Sequence, residues 1–295
     1  MLDVVLAPAV PLASGTDVSG RVSLVQGGSA ANTARWLGRL SARSSLIASV
    51  GRDAEGRALV DAIRRDGVQP RVSRVAGART GRIGVVVAPG GERSFIADRG
   101  AADLLSPDDL QPAWFDRADA LHLPVYSLLG EPLGLAGRRA VDLARGAGAA
   151  VSVDLASIGP LLAAGRRAAR SLIVDVAPDV LFATAAEADA FLGGQGLDGL
   201  LDIAPTAVVK RGAKGATVLT RLGPSRSRFE VATEHLVVTD TTGAGDAFDA
   251  GFLVGWFAAR AAGRSLPASL QRAAIVGHRT AARQLTSPRP ELPLG

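Results

Sequence analysis

Along the chain, short apolar runs rich in β-branched residues alternate with longer stretches in which alanine, leucine and arginine recur at helical spacing. The short runs predict strands over 45–50, 120–123, 149–153, 180–183, 207–209 and 216–220. The longer ones predict helices over 30–40, 54–66, 135–147, 186–192, 245–261 and 268–284. Strand alternating with helix implies an α/β fold, a mostly parallel sheet covered by helices on both faces, with ligands at the carboxyl ends of the strands. One region departs from this pattern. Residues 82–88 and 93–97 read as two strands joined at Pro89-Gly90-Gly91, a hairpin signal, and 4–25 is extended and turn-rich. Segments 4–25 and 80–98 therefore predict a small additional sheet. With no internal repeat and no low-complexity linker, the chain is expected to form a single domain over 1–295.

Composition narrows the class. With 47% apolar and 21% charged residues in a chain of 295, a large core is affordable and disorder is excluded. No run of about eighteen apolar residues is free of charge, so no transmembrane helix is expected. The first residues, Met-Leu-Asp-Val-Val-Leu, lack the basic region of a secretory signal. Cysteine is absent, which removes disulfides, thiolate chemistry and Cys-based zinc sites and fits a cytoplasmic protein. The net charge of +5 rests on arginines scattered among acidic residues, and aromatics are only 4%. No basic–aromatic stripe forms, so nucleic acid is not an expected partner. His122, His235 and His278 have no partner at metal-ligand spacing, and no Walker A loop occurs.

The chemistry concentrates at 240–252, Asp-Thr-Thr-Gly-Ala-Gly-Asp-Ala-Phe-Asp-Ala-Gly-Phe. The apolar run 236–239 before it predicts a strand. Phe248, Phe252 and Trp256, four apart, predict one buried helix face after it. Gly243 and Gly245 let the backbone approach a ligand, and the first-turn amides of the following helix point outward with the positive dipole end behind them. That is an anion site of the kind phosphates occupy. Asp246 sits in the same turn, where a carboxylate is costly beside an anion unless it accepts a proton from an attacking hydroxyl. The plain alternative is that Gly-Ala-Gly-Asp only caps a helix. A second cluster, Gly27-Gly28-Ser29-Ala30-Ala31-Asn32, is a glycine turn before a helix with Ser29 as the expected N-cap. Asn32 offers donors and an acceptor suited to a pair of sugar hydroxyls, or simply faces solvent.

The string Asp-Thr-Thr-Gly-Ala-Gly-Asp-Ala-Phe resembles the C-terminal signature of the ribokinase-like (PfkB) sugar kinases, and 27–34 with 37–40 and 50–56 resembles their N-terminal one. The resemblance implies a ribokinase-like three-layer α/β/α sandwich with a β lid that closes over the sugar. It implies Asp246 as catalytic base, the amides of Gly243, Ala244 and Gly245 as anion hole, and Gly27, Gly28 and Asn32 as substrate contacts. Asp53 and Gly56 are left as turn structure. Leu2-Asp3-Val4 resembles the stretch beginning at a family Asp that binds sugar hydroxyls, which makes Asp3 a substrate candidate. The strand that precedes this Asp in family members has no counterpart, so Asp3 is expected on a frayed terminus beside an exposed sheet edge.

By the same resemblance, 208–216 matches the nucleotide-side strand and turn. Lys210 or Arg211 can face phosphate oxygens there, and Gly212 and Gly215 permit a tight hairpin near ATP; solvated cations on an edge hairpin are the alternative. Thr184 and Glu187 lie where the family carries Asn-x-x-Glu, which orders Mg²⁺ and its waters; Thr184 replaces the Asn. Asp240 and Thr242 can supply oxygens to a K⁺ site, although loop 282–288 lacks the Gly-Ala pair common in potassium-activated relatives. Asp154 and 98–101 are open between ligand contacts and turn structure. The implied activity is ATP- and Mg²⁺-dependent phosphorylation of a primary hydroxyl of a small sugar or sugar-like molecule, and a homodimer is an admissible assembly. A keto-sugar or sugar acid is slightly favoured by the look of 91–95 and 210–212, with nucleosides open. The rivals are a sugar- or nucleotide-binding paralogue without turnover and, more weakly, a dinucleotide-binding oxidoreductase. The latter lacks its glycine fingerprint here.

Overall fold

The computed structural model describes residues 1–88, 92–236, 240–287 and 289–293. The chain packs as two compact units. The first comprises Met1–Leu105, Val237–Asp246 and Arg283–Gly295, and the second Ser106–Leu236 and Ala247–Ala282.

The first unit holds strands β1 (Leu2–Pro8) and β2 (Gly20–Gln26), helix α1 (Ser29–Arg39), β3 (Ser44–Gly51), helix α2 (Ala54–Arg65), β4 (Val68–Val75), β5 (Arg82–Val87) and β6 (Arg93–Asp98). The segments expected to form a lid pair as one four-stranded sheet in the order β2-β1-β5-β6. The strand β1 lies parallel to β5 and antiparallel to β2. Asp3 therefore pairs with Val25 on one side and Ile83 on the other, and it is buried. This corrects the expectation of a frayed terminal carboxylate. The turn 89–91 lies outside the described residues. β3 and β4 form a separate parallel pair, in which Pro70 stands opposite Leu46 on an edge strand that can do without its amide. Asp53 caps α2 by accepting from the Gly56 amide at 2.8 Å, and it also receives the Thr80 amide at 2.7 Å, so it is structural as expected.

The second unit continues with β7 (Ala120–Pro124), α3 (Leu133–Gly146), β8 (Ala150–Asp154), α4 (Ile158–Leu162), α5 (Arg166–Val176), β9 (Val180–Thr184), α6 (Ala185–Leu192), β10 (Thr206–Lys210), β11 (Ala216–Leu222) and β12 (Ser225–Val231). The long helices α7 (Ala244–Ala261) and α8 (Leu266–Thr286) follow. Its sheet runs β12-β11-β10-β9-β8-β7, parallel from β7 to β10 and antiparallel beyond. Because side chains alternate along a strand, each inner strand feeds two cores. Leu181, Ala183, Val151 and Val209 pack on one face with Ile173 of α5 and Phe191 of α6. Val180, Phe182, Val208 and Val218 pack on the other with Phe248, Phe252 and Trp256 of α7 and Leu270 of α8. Phe248, Phe252 and Trp256, the aromatics four apart on α7, do share a buried face. The carboxyl ends of β8 and β10 deliver Asp154 and Lys210, and that of β9 delivers Thr184.

Candidate active site

Asp246 stands in the first turn of α7, within the first unit. Its two carboxylate oxygens are held separately: Ser29 Oγ donates to Oδ1 at 2.6 Å and Asn32 Nδ2 to Oδ2 at 2.8 Å. These two donors, one to each oxygen, fix the carboxylate's orientation. Ser29 is thus not the expected N-cap. The cap position of α1 belongs to Gly28, which takes φ 94° and has no side chain to offer, and the Ser29 hydroxyl is free to serve Asp246. Asn32, expected on substrate, also bonds Asp246, a relation no sequence spacing reveals because 214 residues separate them.

Gly243 adopts φ 76°, a left-handed value that glycine takes without strain, and so turns the chain into the helix. The amide of Ala244 donates to Thr241 O at 3.2 Å, while the first helical turn leaves its amides without intrahelical acceptors. The turn is braced from α8: Gln284 Nε2 donates to Thr242 O at 3.1 Å, and Trp36 Nε1 of α1 donates to Gln284 Oε1 at 2.8 Å. Gln284 is a bracing residue that the sequence reading did not single out. The predicted strand preceding the turn, 236–239, falls largely on residues outside those described.

Asp3 and Gly27 lie together. A Cβ on Gly27 would sit 1.7 Å from Asp3 Oδ1, so only glycine allows the carboxylate its place. Arg289 Nη1 donates to Asp3 Oδ2 at 3.0 Å, and Oδ1 has no hydrogen-bond donor among the described residues. Burial raises the Asp3 pKa above the usual carboxylate range, opposed by Arg289.

Asp240 does not present oxygens free for an exchangeable cation. Its Oδ1 accepts from Arg93 Nη2 at 2.7 Å and from the Thr242 amide at 2.8 Å, and Arg289 Nε lies 3.7 Å from Oδ2. Partial burial opposes ionisation, but the Thr242 bonds and the two guanidinium groups outweigh it and lower the Asp240 pKa. Asp240, a possible K⁺ ligand by the sequence, thus has fixed positive charge standing against that role, and the Thr242 carbonyl already accepts from Gln284.

In the second unit, Lys210 is turned inward. Its Nζ lies 3.1 Å from Asp154 Oδ2 and 3.1 Å from both oxygens of Asp249 on α7. Burial disfavours the ammonium, yet the two carboxylates outweigh it and raise the Lys210 pKa; burial pushes the Asp249 carboxyl well up. The sequence expectation that Lys210 faces phosphate oxygens is corrected here, because its donors are committed to carboxylates. Asp154, left open in the sequence, is a partner in this triad. Arg211 pairs with Glu230 and donates to Lys214 O at 3.1 Å. Gly212 and Gly215 flank the turn at φ 56° and 81°. Thr184 and Glu187 cap α6 reciprocally, the Thr184 amide donating to Glu187 Oε2 at 2.7 Å and the Glu187 amide to Thr184 Oγ1 at 3.2 Å. Among the described residues no cluster of three carboxylates, histidines or cysteines could hold a metal by itself.

A phosphate-type turn with a held carboxylate, at a helix start, is the arrangement expected of a kinase, and comparison with known proteins agrees. Residues 6–293 match the family model described as pfkB family carbohydrate kinase. The chain belongs to the pfkB carbohydrate kinase family. It is 30% identical over 252 residues to a protein named probable fructokinase-3 of Arabidopsis thaliana, covering 81% of this chain and 72% of that one. It is 31% identical over 253 residues to fructokinase-1 of Zea mays, covering 81% and 76%. The fold matches ribokinase from Giardia lamblia with a TM-score of 0.81 at 20% identity, over 97% of this chain and 90% of that one. The architecture is thus ribokinase-like, with a four-stranded sheet in addition to the six-stranded one, and this pfkB protein is an ATP-dependent sugar kinase. No helix among the described residues is long and apolar enough to cross a membrane.

Proposed function

We propose that this pfkB protein transfers the γ-phosphoryl group of ATP to a primary hydroxyl of a ketohexose-like sugar, with Asp246 as the base. The observation that carries the reading is the two-point grip of Ser29 and Asn32 on the Asp246 carboxylate. A base held in one orientation needs no reorganisation when the hydroxyl arrives. Asp246 takes the hydroxyl proton as that oxygen attacks the γ-phosphorus in line; the new O–P bond forms as the bond to the ADP oxygen breaks. The amides of Gly243, Ala244 and Gly245, at the positive end of α7, form the hole for the charge that spreads over the phosphoryl oxygens, Ala244 sharing its hydrogen with Thr241 O. Asp3 Oδ1 and the surface at Gly27 and Gly28 are the substrate contacts, supported by the missing donor to Oδ1.

The nucleotide lies along Arg211, Gly212 and Gly215 and the β9 end at Thr184 and Glu187. A Mg²⁺ ion bound by the ATP phosphates would neutralise part of their charge. The residues present fit such an ion: Glu187 gives Oε2 to its cap, and its second oxygen would order a water on the metal. The setting is cytoplasmic, and the fructokinase names of the relatives make fructose the first substrate to test.

Asp246→Asn is the deciding variant. It keeps the shape and the bonds from Ser29 and Asn32 in part but cannot take a proton, so kcat should fall by ~10²–10⁴-fold with the ATP dissociation constant little changed. Near-normal turnover would remove Asp246 from the base role.

A further inference from the structure

Asp240 opens the catalytic turn, and two arginines from distant parts of the first unit converge on it. Arg93 comes from β6 and donates both to Asp240 Oδ1 at 2.7 Å and to Thr241 Oγ1 at 3.2 Å. Arg289 comes from the C-terminal segment and bridges Asp3, at 3.0 Å, to the neighbourhood of Asp240 Oδ2, at 3.7 Å. Both guanidinium side chains are only 13% exposed, whereas the Asp240 side chain is 54% exposed. The arginines are held by packing. The backbone oxygen of Thr242 is also engaged, by Gln284 Nε2 at 3.1 Å.

A monovalent cation binds where several oxygens turn free lone pairs to one point. Here Asp240 Oδ1 already has two donors, the Thr242 carbonyl has one, and a cation would stand against two guanidinium groups. We propose that Arg93, seconded by Arg289, is a built-in cation of this kinase. It neutralises Asp240, fixes the 240–243 turn in the conformation that aims its amides at phosphate, and makes the enzyme indifferent to K⁺. Since Arg93 sits on β6, the same contact ties the four-stranded sheet to the catalytic turn. Arg93 is a positioning residue; it touches neither the sugar nor the transferred group.

The proposal rests on the kinase reading only for its activity arm, so the test has two. In the first, thermal unfolding is followed in KCl, NaCl and choline chloride at equal ionic strength. Wild type should show the same midpoint in all three to within about 1 °C, whereas bound K⁺ would stabilise it by mass action. A K⁺-specific rise in the wild-type midpoint overturns the proposal whether or not the protein turns over sugar. In the second, sugar-dependent ADP release is measured in the same salts. Wild type should be unaffected by exchange of K⁺ for Na⁺. Arg93→Ala should lose ~10-fold or more in kcat through the misplaced turn, with millimolar guanidinium restoring part of it and leaving wild type unchanged. Arg93→Lys, which keeps the charge and folds as the more conservative change, should stay K⁺-independent and more active than Arg93→Ala. Several-fold activation of wild type by K⁺ contradicts the built-in cation, as does an Arg93→Ala enzyme that is fully active without added cation.

Discussion

Lys210 shows how a single side chain is decided by partners the local sequence cannot supply. Its two carboxylates lie 56 and 39 residues away, one at the end of β8 and one on α7, so neither spacing nor periodicity could pair them. A buried ammonium between two carboxylates is costly to break, because the remaining charges stay desolvated. Lys210→Met should therefore destabilise the fold by ~3–5 kcal/mol in urea unfolding, and Asp249→Asn by clearly less, since Asp154 still satisfies the ammonium. A nearly neutral Lys210→Met would contradict the triad. The place of Asp246 in a first helical turn, by contrast, was legible because its motif is local; Ser29 and Asn32 were legible as residues but not as its partners. His122, beside the triad, is held down to about 4 by burial, with Lys210 adding to this and Asp154 opposing. Between that value and 6.5 the unfolded chain binds a proton that the folded one refuses, so stability is full above pH 6.5 and is lost as pH falls. His122 keeps some solvent exposure, which limits the loss from pH 7 to 5 to on the order of 1 kcal/mol. His122→Asn should flatten that part of the pH profile of urea midpoints.

At the scale of elements, amphipathic helices and inner strands were readable and edges were not. Every predicted helix exists, because its apolar residues recur at helical spacing over at least two turns. The sequence reading missed β12, whose Ser-Arg-Ser-Arg pattern reads as a solvated loop until β11 pairs with it, and β4, which carries Pro70. It also missed α5, where only Ala169, Ile173 and Val176 are buried. The packing of α7 on α8 was equally hidden, since it depends on what glycine leaves out. A Cβ at Gly251 would lie 2.4 Å from Thr280 Oγ1 and 2.8 Å from Val276 O, so the helices meet backbone to backbone there. Gly251→Val should cost ~1–3 kcal/mol or more through overpacking, read as a lower urea midpoint, while Gly146→Ala, with nothing within 4 Å, should not destabilise. Equal midpoints for the two variants would contradict the close contact.

At the scale of the whole molecule, the alternation of strand and helix gave away the layered fold, whereas the division into two compact units follows from packing that no pattern encodes. Each unit carries part of the proposed machinery. The first holds Asp246, its two donors, the glycine turn and Asp3; the second holds the strand ends with Thr184, Glu187 and the 211–215 turn. The most direct test of the proposed chemistry is product formation. Wild type and Asp246→Asn would be incubated with ATP, Mg²⁺ and a panel of sugars, sugar acids and nucleosides, with ADP release followed and the phosphorylated product identified by mass spectrometry. The expected result is a sugar monophosphate formed at one primary hydroxyl by wild type, strongest with a ketohexose, and abolished in Asp246→Asn. ADP release that does not depend on any sugar, or a phosphorylated product formed equally by the variant, would contradict it.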